Sequence, residues 1–447
     1  MQSRGSRGTV RIIDDGSGAS DPGRRSFFHR VLAHGAALPA AYALANSVSA
    51  FAQPSARSEP PAGVPAASHK QQGRVLHHFE SPYLELVRLV REACTVEHAL
   101  MLQYLYAAFS VKPAYSGLVG SGAPGTDDLI GVAVQEMQHL SAVNRLLVAL
   151  GAAPNLVPLE FPFEPDIYPF EFNLEPLDRA SLAKYVYTEA PEGFFDAREP
   201  AETALVSAVL RAIGPKRRPN HVGSLYGAII GLAREVDREP GMPDMQPWVK
   251  KLQAIKEEGE TDHFRFFRSL FLAEHKAFGG RGDAWELAPS DPAFPSYALP
   301  SNPTAYPGHA NQIHSPTARA LAWLGNLHYW TALLLLEQYY RFDDQAVRGL
   351  ALLQMMGPML SIGRHLPKLG VGMPFDAASF GASPALDATH GRRMAIALLT
   401  DAESLTERLE ASLPADYARG AALQTLSALE GISAADVARS QARGETG

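Results

Sequence analysis

The chain has 447 residues, of which 46% are hydrophobic, 19% charged and 9% aromatic. This composition is typical of a globular protein with a large buried core, and it excludes a chain that is disordered throughout. The 40 Lys and Arg residues against 47 Asp and Glu residues give a net charge of −7, so there is no global attraction to nucleic acid. The single cysteine, Cys94, excludes an intramolecular disulfide and a zinc site built from cysteines.

The N-terminal segment has the features of an export signal. A twin-arginine motif at 24–28 (RRSFF) precedes a weakly apolar, alanine-rich stretch over 31–52, which ends in the small-x-small motif AFA at 50–52. These features in this order predict a Tat-type signal peptide over residues 1–52, and therefore a periplasmic or exported protein. A histidine and a proline interrupt the apolar stretch, so we expect no stable membrane span. The alternative is a basic N-terminus in which the arginine pair occurs by chance.

Beyond this segment the sequence predicts an all-α protein. Residues 53–76 are rich in Pro, Ala, Ser and Gly and predict a flexible linker. Apolar residues then recur at intervals of three and four, which predicts long helices over 82–111, 127–150, 221–237 and 247–278, with shorter ones near 179–188 and 202–213. We expect Ser81 to cap the first helix and Thr126 to cap the second.

The second half of the chain is predicted to be helical as well. Residues 281–316 contain seven prolines and no helical period, and they predict an ordered, Pro-rich connector. Helical patterns near 316–340, 344–366, 385–413 and 419–429 predict a C-terminal helical extension over 317–430 that packs against a bundle over 77–280.

Charged and polar residues interrupt the apolar stripe of three predicted bundle helices. Glu97 lies in the stripe of the first helix, Glu136 and His139 in that of the second, and Glu260 and His263 in that of the fourth. In each Glu-x-x-His pair the two residues share one helix face, about 5–6 Å apart at Cβ, so both can bind one ion. Carboxylate-bridged di-iron and di-manganese bundles use a Glu from each of two helices and a Glu-x-x-His pair from each of the other two.

The donor set predicts the kind of ion. Carboxylates and imidazoles favour one or two Fe ions, with Mn as the other candidate, over an ion that seeks thiolates. An ionised glutamate in an apolar stripe is costly unless it is paired or bound to a metal. The alternative is a buried network of Glu–His hydrogen bonds, or a salt bridge to Lys256 or Arg91, without a metal.

Four motifs carry a resemblance to a known family: EHALMLQYLY at 97–106, QEMQHL at 135–140, VGSLY at 222–226 and EEGETDH at 257–263. With them, residues 77–280 resemble the ferritin-like domain of the iminophenyl-pyruvate dimer synthase type. The resemblance implies a ferritin-like four-helix bundle with metal ligands at Glu97, Glu136, His139, Glu260 and His263.

The third bundle helix departs from the family pattern. The family usually has a glutamate where this sequence has Ser224, and a serine cannot replace a bridging or terminal carboxylate. His221 lies three residues earlier and is a candidate nitrogen ligand; alternatively, it is a residue near the helix cap. Without a carboxylate in this helix, we expect one of two metal positions to be weak or empty.

The functional expectation is an exported ferritin-like metal-binding protein. We expect a non-haem iron oxidoreductase or synthase of the di-iron type, with an unidentified small organic substrate and no nucleic-acid partner. The alternative is a non-enzymatic metal-binding or structural protein with a degenerate site. Tyr104 is predicted to hydrogen-bond a ligand, to act as a redox tyrosine or to fill the core. Glu189 is predicted to cap a helix or line an entrance, and the methionines of 350–360 are predicted to pack in the core.

Overall fold

The computed structural model describes residues 75, 77–120, 125, 127–157, 171–196, 199–214, 222–379 and 387–442. The predicted signal peptide and nearly all of the predicted linker lie outside these residues, and so does His221. The described part of the chain is helical, and its extended pairings are two isolated bridges, Val111 with Ser296 and Thr304 with Gln312. The all-α fold class predicted from the sequence is therefore confirmed.

The α-helices follow one another along the described chain, and a π-helical turn twice interrupts a longer helix. They are α1 (Pro82–Ser110), α2 (Leu129–Ala149), α3 (Arg179–Glu189), α4 (Pro200–Ile213), α5 (Val222–Val236), α6 (Gln246–Glu258), α7 (Phe264–Phe271), α8 (Pro316–Phe342), α9 (Gln345–Gln354), α10 (Leu360–His365), α11 (Ala388–Leu409) and α12 (Arg419–Ala442). The π turns are Gly259–His263, between α6 and α7, and Met355–Met359, between α9 and α10.

Helices α1, α2, α5 and α6 form the four-helix bundle. Helix α1 begins as predicted, because the Ser81 hydroxyl accepts a hydrogen bond from the amide of Leu84 and Pro82 occupies the first turn. It packs against α2 and α5, while α5 packs against α6. Helix α1 is buried on nearly every side and is the central element of the fold.

Two helix boundaries differ from the prediction. Asp128, rather than Thr126, caps α2, because its carboxylate accepts a hydrogen bond from the amide of Gly131. The helix predicted over 247–278 is interrupted by the π turn Gly259–His263 and ends at Phe271. Ala273 takes a left-handed conformation there, with φ 53°, which stops the helix.

The C-terminal helices pack around α8. Helix α8 contacts α9 and α11, and α11 contacts α12. The extension meets the bundle where α8 lies against α2 and α10 lies against α1. A buried hydrogen bond of 2.8 Å between the Tyr329 hydroxyl and Nε2 of His98 joins α8 to α1. The last helix runs to Ala442, beyond the end predicted near residue 429.

One described helical stretch, Gln345–Leu369, has the length and apolar composition of a membrane span. Half of its most apolar window is buried inside the protein, as in the core helix of a folded domain, so the stretch is weak evidence for a span.

Candidate metal centre

The first cluster of metal-binding side chains joins α1 to α2. Nδ1 of His139 lies 2.9 Å from Oε2 of Glu136 and 3.6 Å from Oε2 of Glu97. All three side chains are buried. The pair Glu136 and His139 shares one face of α2 because the two residues are separated by three positions.

The second cluster joins α2 to α3 and to the π turn. Nδ1 of His263 lies 2.9 Å from Oε1 of Glu136 and 3.9 Å from Oε1 of Glu189, the last residue of α3. In each cluster the three ligand atoms lie within 4.8 Å of one another. Glu136 belongs to both clusters, since one of its oxygens faces His139 and the other faces His263.

A small cavity of about 20 Å³ lies among these side chains and is lined by all five of them. The rings of His139 and His263 face each other across the site at 5.7 Å between centroids. Leu100, Val222 and Ile255 add apolar side chains to a wall that also contains polar and charged residues.

Several polar atoms of the site are buried without a hydrogen bond. They are Oε2 of Glu97, Oε1 of Glu136 and both ring nitrogens of His263. The 2.9 Å contact between His263 and Glu136 lacks the angles of a hydrogen bond. Buried polar atoms without partners are destabilising, and carboxylate and imidazole donors suit Fe or Mn. The residues present therefore fit a metal ion.

The pKa values of the buried side chains show which of them hold a proton in the metal-free site. Burial raises the pKa of Glu97 to about 8, and the nearby charge of Glu136 adds to the shift. Burial opposes ionisation of Glu136 as well, but the charges of His263 and His139 outweigh it, so that the pKa of Glu136 is lowered. Burial also opposes the charge of His263, yet Glu136 raises the pKa of that imidazole to about 10. A bound cation would take the place of these protons.

Three further side chains hold the ligands in place. The hydroxyl of Tyr226 donates a hydrogen bond to Oε1 of Glu97, and the hydroxyl of Tyr104 donates one of 2.5 Å to Oε1 of Glu189. On the far side of His139, Nε2 lies 3.1 Å from Oε2 of Glu258. Such partners orient metal ligands and tune their basicity.

The structure brings together four of the six predicted ligands: Glu97, Glu136, His139 and His263. Glu260 lines the same cavity, but its carboxylate is outside both clusters, and its Oε1 lies 3.5 Å from Nζ of Lys256. The π turn explains the difference, because its wider winding changes which face of the helix each residue occupies. His221, the sixth predicted ligand, lies outside the described residues.

The third bundle helix contributes no carboxylate to the site. Ser224 is half-buried on α5 and does not line the cavity, whereas Tyr226, two residues later, does. The cluster around His263 is completed by Glu189 of α3 instead. Only a cap or entrance role was predicted for Glu189, because it lies outside the Glu-x-x-His pairs. The one signal in the sequence was an acidic residue at the end of a predicted helix.

The chain is similar to known proteins over the region that holds this site. Residues 90–264 match the family model described as Ferritin-like. The chain is 26% identical to dichlorochromopyrrolate synthase of Lentzea aerocolonigenes over 395 residues, which cover 72% of this chain and 37% of that protein. It is 33% identical to 2-imino-3-(indol-3-yl)propanoate dimerase of Chromobacterium violaceum over 132 residues, which cover 24% of this chain and 13% of that protein.

The chain therefore spans well under half the length of either relative. No solved structure matches it. The region matched by the family model contains both clusters, from Glu97 in α1 to His263 in the π turn. Residues 90–264 are thus similar to a ferritin-like domain, and the chain resembles the iminophenyl-pyruvate dimer synthase type.

Proposed function

We propose that this chain is a non-haem iron oxidoreductase or synthase of the di-iron type that acts on a small organic substrate. The observation that carries the proposal is the position of Glu136, which offers one oxygen to each of two buried Glu–His clusters. The names of the two relatives, a synthase and a dimerase of small organic molecules, support this substrate class. Because a signal peptide is predicted over residues 1–52, we also propose that the protein is exported.

Each cluster is proposed to hold one ion. Glu97 and His139 would bind the first ion, Glu189 and His263 the second, and Glu136 both. Bound iron would supply one-electron redox chemistry to a substrate beside it.

The surrounding residues prepare the site. Tyr226 and Tyr104 keep the carboxylates of Glu97 and Glu189 in place through their hydroxyl groups. In the metal-free chain burial raises the pKa of Glu97 to about 8, so this carboxylate would give up its proton when it binds the ion. The side chains of both clusters are buried, which strengthens the electrostatic interactions among them.

Metal content and oxygen uptake test the proposal together. After anaerobic loading with Fe(II), we expect about two ions per chain by plasma mass spectrometry, as in other carboxylate-bridged bundles. Oxygen uptake should rise when imines derived from aromatic amino acids are added. Glu136→Ala should lose both properties, whereas Glu235→Gln, at an exposed position of α5, should keep both.

The alternative is a non-enzymatic metal-binding or structural protein, which the absence of a carboxylate at Ser224 favours. Bound iron without oxygen uptake on any substrate would support a metal-binding role. A chain that folds fully and binds no metal would support a structural one.

A further inference from the structure

A second, larger cavity of about 580 Å³ lies between the bundle and the C-terminal extension. Its walls come from α1 and α2 on one side, and from α8, α9 and the π turn Met355–Met359 on the other. It is separate from the metal centre, which lies on other faces of α1 and α2. Small-molecule sites occupy about 300–1,000 Å³, so this cavity has the size of a ligand site.

The interior of this cavity is apolar and adaptable. Leucines and aromatic residues line it, together with five of the ten methionines of the chain: Met101, Met137, Met355, Met356 and Met359. Unbranched methionine side chains adjust to ligands of different shape and recur at surfaces that bind flexible apolar partners. The interior therefore favours a flexible hydrocarbon chain.

The charge at this cavity has a single sign. Among the described residues that line it, the charged ones are Arg145 of α2 and Arg348 of α9, and none is a carboxylate. Both arginines are exposed and stand on opposite walls of the cavity. The guanidinium of Arg348 lies 5.8 Å from the ring centroid of Tyr339.

The arginines lie near two polar side chains of this cavity, Ser141 and Tyr340. Burial raises the pKa of the Tyr340 hydroxyl, and the charge of Arg348 acts in the opposite direction. Arg145 is four residues after Ser141 and lies on the same face of α2. The exposed cations and the buried apolar wall together give the cavity a charged mouth and a hydrophobic interior.

We propose that this cavity binds a long-chain carboxylate, with the hydrocarbon chain between α1 and α8 and the carboxylate at Arg145 and Arg348. Guanidinium groups match the planar geometry of a carboxylate, which favours this head group. The proposal is independent of the metal centre, because no residue of either metal cluster lines this cavity.

Isothermal titration calorimetry of the full, metal-free chain with octanoate, decanoate and dodecanoate tests the hydrocarbon part. Each added pair of methylene groups should tighten Kd about tenfold, because the chain is buried. Dodecanol should bind more weakly than dodecanoate. A Kd that does not change with chain length, or 3-phenylpropanoate that binds as tightly as dodecanoate, would overturn the proposal.

Variants test the two parts of the cavity separately. Arg145→Gln and Arg348→Gln should each weaken dodecanoate binding about tenfold, whereas Arg211→Gln, at an exposed position of α4, should not. Ala332→Phe should fill the cavity and abolish binding, and Leu333→Trp serves the same purpose if Ala332→Phe does not fold. Full affinity in the arginine double variant, or in a folded cavity-filling variant, would contradict the assignment.

Sedimentation velocity tests whether a second copy of this chain, rather than a long-chain carboxylate, occupies the cavity. A monomer that binds dodecanoate is the expected result. A stable dimer that excludes dodecanoate would make the mouth a subunit interface and would overturn the proposal.

Discussion

The hydroxyl of Tyr104 donates a hydrogen bond of 2.5 Å to Oε1 of Glu189, a residue 85 positions later in the chain. The bond joins the C-terminal part of α1 to the last residue of α3, and it fixes a buried carboxylate 3.9 Å from Nδ1 of His263. The geometry of the cluster around His263 therefore depends on a contact made by a residue that belongs to neither cluster.

Tyr104→Phe should show this dependence. Loss of one buried hydrogen bond is expected to lower the free energy of unfolding by about 1–2 kcal/mol. Because Glu189 loses its orienting partner, the ion proposed for the cluster around His263 should bind about tenfold less tightly. Titration with Co(II), followed by absorbance, measures the affinity. Tyr185→Phe, in the same aromatic cluster, is the control. Unchanged affinity for both ions would show that the bond does not position Glu189.

Glu136→Ala should remove most of the bound metal, and His263→Ala should remove about half of it. Glu136 serves both clusters, so its loss is expected to affect both ions, whereas loss of His263 should affect mainly one. Plasma mass spectrometry after Fe(II) loading gives the count, with Glu235→Gln as the exposed control. Full metal content in both variants would mean that these residues are not the ligands.

A third pair of variants asks which helix supplies the carboxylate that completes the cluster around His263. Glu189→Gln should lower the metal content, because the neutral amide is a weaker ligand than the carboxylate. Ser224→Glu should leave it unchanged, because Ser224 does not line the cavity. A gain of metal in Ser224→Glu would place the missing ligand position on α5, against this expectation.

The pH dependence of stability should reflect buried neutral histidines. Burial lowers the pKa of His328 to about 4, and its ring nitrogens bond with Oε1 of Gln354 and the hydroxyl of Tyr417, both at 2.8 Å. In the unfolded chain His328 takes up a proton near pH 6.5, the usual pKa of histidine, whereas in the folded chain it does so only near pH 4. The free energy of unfolding should therefore fall between pH 6.5 and 4, by up to about 1.4 kcal/mol per pH unit for this residue.

Urea unfolding of the metal-free chain at pH 7 and pH 5 measures this effect. His328→Asn should show a smaller difference between the two pH values than the parent chain does. His314→Asn, at an exposed position, is the control and should show the parent difference. An undiminished pH dependence in His328→Asn would assign the effect to other groups, such as His98, whose pKa burial also lowers to about 4.

Local signals predicted the helices well. The start of α1 was predicted from Ser81 and Pro82, which satisfy and shape the first turn without help from the rest of the fold. The π turn Gly259–His263 was not predicted. The prediction assumed the α-helical period of 3.6 residues per turn, and the spacing of apolar residues does not reveal a single wider turn. The predicted stripe consequently placed Glu260 beside His263, whereas the structure keeps its carboxylate out of both clusters.

The sequence predicted those parts of the site that depend on the spacing of residues within one helix. The pair Glu136 and His139 is a local pattern, and the structure places both in one cluster. Glu189 comes from α3, outside the four bundle helices, and only tertiary packing brings it near His263. The large cavity also depends on tertiary packing and was not predicted. Met101 and Met355 line it together although they are far apart in sequence, because the extension packs on the bundle.

The bond between His98 and Tyr329 links residues 231 positions apart. During synthesis the helices of the bundle leave the ribosome well before α8 does. Until α8 arrives, Met101, Leu105 and Phe109, which the finished fold buries, face water on one side of α1. A growing or C-terminally truncated chain therefore carries an exposed hydrophobic strip, which makes it a target for chaperones and prone to aggregation.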